Sequence, residues 1–199
     1  MPTRLVSALL FSLALITSAC SSPMKTPDIK QNPHPVEHYE ITMTVHGASR
    51  GFDSAQGGAV YEVENPTICV KADPISGNQS NLEQSIPFTI TKVDEHNYKG
   101  AIEVDHFIDA DYYGMGICHW VVTAVATFKI NGNSIDIAPN MSGSDIVDQK
   151  SIDVYFPMTE LSSNGPHSYG DSGQSFSELS PKIRDKVFYI TLSSKRVKI

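Results

Sequence analysis

An all-β domain is the fold class the sequence predicts: an antiparallel β-sandwich, or a partly open barrel, of about nine short strands. Three observations predict it. Apolar and polar residues alternate at period two in one segment after another. Those segments concentrate β-branched and aromatic residues, which suit a pleated, half-buried surface. Gly, Asn, Asp and Pro punctuate them at short intervals while helix signals stay scarce, the pattern of sandwiches rather than of α/β folds.

The elements follow in order. From His38 to Val45, Tyr39, Ile41, Met43 and Val45 share one face. Gly58 to Val63 and Thr67 to Lys71 read as short strands broken by Asn65-Pro66. Pro87 to Val93 and Tyr98 to Val104 flank Asp94-Glu95-His96-Asn97, a hairpin turn by composition. Ile117 to Ile130 is the longest β-rich run, and Asn131-Gly132 then signals a tight turn into Ser134 to Ile137. Ile152 to Phe156 and Val187 to Leu192 complete the set. The best helix candidate is Ser177 to Lys186, with Ser177 as cap and Pro181 as an interruption. Residues 72–85 and 160–176 are polar and read as loops.

The N-terminus sets the compartment. Arg4 precedes an apolar run from Leu5 to Ile16, then Thr17, Ser18 and Ala19 lead into Cys20. The run suits a signal peptide and is too short for a membrane-spanning helix, which needs about 20 residues. The small residues before Cys20 resemble a bacterial lipobox, with Thr17 standing where Leu is usual. That resemblance implies cleavage before Cys20 and a diacylglycerol thioether on its sulfur; an ordinary secretory signal is the competing reading. Ser21 stands where Asp would mark retention at the inner membrane, so the periplasmic face of the outer membrane is the expected location. The expected organisation is a leader (residues 1–19), a lipidated, proline-rich flexible tether (residues 20–36) and one β domain (residues 37–199).

The first 19 residues hold one base, Arg4, and no acid, so their removal deepens the net charge from −7 to −8. An acidic balance argues against nucleic acid and suits a basic protein partner. With Cys20 committed to lipid, Cys69 and Cys118 remain. In an oxidising periplasm such a pair is expected to form a disulfide, the alternative being two buried thiols. No C-x-x-C spacing occurs, and the H-x-x-x-H from His34 to His38 lies in or beside the proline-rich tether with no third ligand evident, so neither zinc nor another cofactor is expected.

Two serines carry enzyme-like surroundings. Gly47-Ala48-Ser49-Arg50-Gly51 fits G-x-S-x-G, but a Gly-rich turn and another strand follow where a hydrolase needs a helix. Gly170-Asp171-Ser172-Gly173 matches the core of a chymotrypsin-type nucleophile motif, with Gln174 replacing the usual second glycine and no upstream histidine segment of the matching kind. Neither is read as catalytic, and no enzyme activity is expected. The unusual segment runs from Asp105 to Trp120, with His106 and His119 near its ends as a conceivable metal pair. Asp109-x-Asp111-x-x-Gly114 faintly resembles a calcium loop but lacks its later acidic ligand. The plain reading is a disulfide-anchored loop with Trp120 and the tyrosines packed over Cys118. The functional reading adds a binding edge, with Asp109, Asp111, Tyr112 and Tyr113 as contact residues.

Tyr98-x-Gly100, Asp105, and the run Asp109-Ala110-Asp111-Tyr112-Tyr113-Gly114-Met115-Gly116-Ile117-Cys118-His119-Trp120 resemble a pattern in small periplasmic lipoproteins. Cys69 followed by Asp73-Pro74-Ile75-Ser76-Gly77, and the lipidated leader, fit the same group. These are similar to immunity proteins paired with type VI secretion effectors, notably lipases. The resemblance implies a membrane-anchored protein that binds a secreted toxin, for instance a phospholipase, and blocks it. The alternative is a structural or assembly lipoprotein of the envelope.

Overall fold

The computed structural model describes residues 27–48, 51–79, 81–130, 133–161 and 170–198. The expected leader, Cys20, Ser49 and the turn expected at Asn131-Gly132 lie outside these residues. Ten strands form among them: β1 (His38–His46), β2 (Ser54–Val63), β3 (Glu83–Phe88), β4 (Ile90–Lys92), β5 (Asn97–Glu103), β6 (Trp120–Ile130), β7 (Asn133–Ile137), β8 (Asn140–Ser142), β9 (Ser151–Pro157) and β10 (Val187–Arg196). One sheet has the order β4-β5-β1-β10-β9, the other β3-β2-β6-β7 with β8 also on β6, and all these pairings are antiparallel.

Alternation decides which side of each sheet faces inward. Tyr39, Ile41, Met43 and Val45 of β1 are all buried, beside Phe188, Ile190 and Leu192 of β10. They belong to one core cluster with Ala59 and Tyr61 of β2 and Val122, Ala124 and Phe128 of β6, from the other sheet. Each large apolar side chain taken from water contributes about 1.5–3 kcal/mol before entropy is counted, and a one-residue slip of β1 would turn four of them outward.

The sheets stay open, but both sides of the sandwich are laced. On one side the chain leaves β3 at Phe88, opposite Gly57, and joins the other sheet at Ile90, opposite Gly100. The Phe88 ring covers both glycines: a Cβ would meet it at 2.4 Å from Gly57 and 2.5 Å from Gly100. On the other side Asp171–Gln174 bridges β7 to β9. Ala138 donates to the Asp171 carbonyl at 2.7 Å, and Tyr155 and Gln174 exchange backbone bonds of 2.9 and 3.1 Å.

Several expectations need correction. Residues 67–71 are not a strand: Pro66–Cys69 forms a single helical turn, α1, because Pro66 has its φ pre-set for a first helical position. Ser177–Lys186 is a series of tight turns rather than a helix. Pro181 has no N–H to give, and bonds such as Ile183 N–H to the Ser180 carbonyl (3.0 Å) take its place. Pro87–Val93 is split at Thr89 between two sheets. A short helix, α2 (Gly143–Val147), follows β8; the Ser142 hydroxyl caps it by accepting from Asp145 N–H at 3.3 Å. The C-terminal part of the expected tether is docked. Asp105 holds it, its carboxylate accepting from the backbone N–H groups of Val36 (2.9 Å) and Glu37 (3.1 Å), while Asn32 N–H donates to the His106 carbonyl.

Candidate functional site: the braced loop Asp109–Trp120

The loop before β6 is built as a small hairpin. Cys118 donates its backbone N–H to the Ala110 carbonyl at 3.0 Å, closing residues 111–117 into a crest. The Cys69–Cys118 disulfide ties this hairpin to α1, with Cα atoms 5.2 Å apart and both cysteines fully buried. Val63, Val70 and Leu82 surround the sulfurs, and Tyr112, Tyr113 and Trp120 pack against the same cluster. The plain structural reading of this segment therefore holds.

Each sequence-selected residue has a defined place. Asp109 is a latch: one carboxylate oxygen accepts from Trp120 N–H at 2.9 Å and the other meets His119 Nδ1 at 2.7 Å. Asp111 is exposed at the surface, yet its Oδ1 accepts from Met115 N–H at 2.9 Å. The Gly116 amide first, with those of Met115, Gly114 and Tyr113, holds its carboxyl below the usual range. Tyr112 donates its hydroxyl to the Ile108 carbonyl at 2.6 Å and receives Trp120 Nε1–H at 3.4 Å. Tyr113 is half-buried, and burial pushes its hydroxyl pKa up. Across from this run, Pro27, Asp28 and Lys30 form the other wall of a cleft of about 650 Å³.

The histidines take separate partners. His106 Nδ1 bonds Glu103 at 2.8 Å, while His119 bonds Asp109. Among the described residues, no group of three or more His, Cys, Asp and Glu side chains is placed to hold a metal ion. Ser172 is exposed within the bridging segment, where the Asp171 carboxylate accepts from Gly173 N–H at 2.9 Å in a local turn.

No family model, curated protein or solved structure matches the chain.

Sequence reasoning missed the residues that complete this surface. Asn65 braces the loop twice: its Nδ2 donates to the Ile117 carbonyl at 2.8 Å, and its Oδ1 accepts from His119 N–H at 2.9 Å. Ile68 of α1 stands 61% exposed, with Met115 at 51% and Ile117 at 53%. The two segments meet at the backbone: Gly116, between Met115 and Ile117, sits against the Ile68 carbonyl, where a Cβ would come within 3.3 Å. The available signal was Met115, an apolar residue in a Gly-rich connection; Ile117 was expected to open the long strand, but β6 begins only at Trp120, which leaves Ile117 in the loop.

Proposed function

We propose that this chain is a lipid-anchored envelope protein that binds and neutralises a secreted toxin, with the loop Asp109–Trp120 as its contact surface. The observation that carries the reading is the rigid presentation of exposed Met115 and Ile117 on a hairpin that the disulfide ties to α1, where Ile68 is also exposed. A pre-organised apolar anchor loses little entropy on binding, so more of its burial appears as affinity. Asp109 and Asp111 flank that crest, and the whole chain is acidic, which steers a basic partner towards it. A buried disulfide accords with an oxidising compartment outside the cytoplasm. The resemblance of residues 98–120 to immunity lipoproteins gives the partner its class, a type VI lipase effector. Inhibition would be by occlusion: the crest seats at the effector's active-site mouth and no chemistry is needed from this chain.

A competition experiment tests this. A strain deleted for the gene is grown against its parent with the secretion system active. Killing of the deletion strain, rescued by the intact gene and not by the Met115→Asp/Ile117→Asp form, supports the reading. Equal survival of deletion strain and parent overturns it, and an envelope-assembly defect would then favour the structural-lipoprotein alternative.

A further inference from the structure

A second crevice lies beside the lacing at Phe88. β4 pairs with β5 only over Tyr98–Gly100, because the chain has crossed from the other sheet at Thr89. Beyond Gly100, β5 runs on without β4, and between it and β3 lies a crevice of about 380 Å³. Such a volume is in the lower part of the range of ligand clefts, about 300–1,000 Å³. Its walls are mainly apolar, with Ala59, Ile86, Phe88 and Ala101 among them, and His38 and Glu103 are the polar groups the argument needs.

Hydrogen-bond accounting defines what those polar groups want. His38 Nε2 lies 2.9 Å from the Pro35 carbonyl, which can only accept, so Nε2 carries the ring proton. In the tautomer that carries its proton on Nε2 alone, Nδ1 presents a bare lone pair. That atom faces Glu103 Oε1 at 3.9 Å. In that form two acceptors face one another across a gap too wide for a bond between them. The other carboxylate oxygen is already engaged by His106 Nδ1 at 2.8 Å. Both facing side chains reach solvent, His38 at 18% and Glu103 at 35% exposure. A donor atom placed about 2.8 Å from each acceptor would subtend roughly a right angle, which two N–H bonds of one ammonium meet closely. An alcohol has one hydrogen and satisfies only one of the two; water has two and can bridge both, so an amine displaces it through its charge and its carbon chain. The carboxylate charge also favours a cation.

We propose that the crevice between β3 and β5 binds a small primary alkylammonium compound, its head bridging His38 Nδ1 and Glu103 Oε1 and its carbon chain lying on the apolar wall. The site is independent of the toxin-binding reading.

The test is a titration of the purified chain at about pH 8 with n-hexylamine, hexan-1-ol, hexanoate and methylammonium, followed by calorimetry and amide NMR. Hexylamine should bind roughly tenfold or more tightly than hexanol, since a hydrogen bond to a charged group is worth that much, and should outbind methylammonium. Hexanoate should bind worst. The shifted amides should centre on Ile86 and Ala101. Glu103→Gln should remove the preference for the amine while leaving hexanol binding, and Ala101→Phe should weaken both by filling the crevice. Equal binding of hexylamine and hexanol, no binding at all, or shifts centred elsewhere would overturn the proposal. So would a ¹⁵N signature of doubly protonated His38 in the free chain, because the paired acceptors would then be gone. The comparison of hexylamine with hexanol and methylammonium uses the unmodified chain, so it decides the matter even if Glu103→Gln fails to fold.

Discussion

Replacing both Cys69 and Cys118 with alanine removes the covalent brace of the crest. The two cysteines are 49 residues apart, so the variant frees a long loop in the unfolded chain. Loop-closure entropy for about 50 residues corresponds to roughly 4 kcal/mol at 25 °C, inside the range of about 2–5 kcal/mol typical for removal of a native disulfide. For a domain of this size that lowers Tm by roughly 8–16 °C. Alanine is chosen because both positions are fully buried among apolar side chains, where a serine hydroxyl would lack a partner. The assay is urea unfolding followed two ways: by far-ultraviolet circular dichroism for the sheets, and by fluorescence of Trp120, the single tryptophan, which packs against the disulfide cluster. Both midpoints should fall, and the Trp120 transition should precede that of the sheets as the crest loosens first. Reducing the wild-type disulfide under mild denaturant should produce the same shift. A stability loss below about 1 kcal/mol would refute the reasoning, because the bridge would not then constrain the unfolded chain. Coincident transitions in the variant would refute the narrower expectation that the crest loosens before the sheets.

Gly100→Ala should cost about 1–3 kcal/mol in chemical denaturation, because its Cβ meets the Phe88 ring at 2.5 Å, and it should cost less when made in a Phe88→Ala background. Asn65→Ala should cost about 1–3 kcal/mol by removing two hydrogen bonds, one to the Ile117 carbonyl and one from His119 N–H, with faster amide exchange at His119 as the direct readout. Asp111 has a folded pKa below its ordinary value of 3.8. Its contribution to crest order is therefore fully present above that value and is lost as pH falls through the lower folded value. Amide shifts of Met115 and Gly116 should titrate in that acid range, and Asp111→Asn should abolish the titration. In the competition experiment, Met115→Asp/Ile117→Asp should lose protection while its unfolding free energy stays within about 0.5 kcal/mol of wild type, as expected for exposed positions.

How far the sequence could be read depended on whether a residue's partner lies in its own periodic pattern. β1 was legible because Tyr39, Ile41, Met43 and Val45 declare one buried face without reference to any other strand. Residues 67–71 were misread because Thr, Ile and Val favour strands intrinsically, while the deciding facts are Pro66 at a helix start and the position of Cys118 across the fold. α2 carried its own signal, Ser142 three residues before Asp145, but five residues are too few for helical periodicity to stand out. The same distinction governs the site. Asp109 and Asp111 look like surface charge in sequence, since a carboxylate in a Gly-rich loop is usually solvated. The fold instead turns one towards Trp120 N–H and the other towards Met115 N–H, so each is a structural part of the crest as well as a charge upon it. Reversing those charges would thus disturb the loop and the field together, and a lost interaction would not say which mattered. Ile68, Met115 and Ile117 offer the cleaner probe. Their side chains are more than half exposed and the loop is held by other groups, so a change in binding on replacing Met115 or Ile117 reports on contact with a partner.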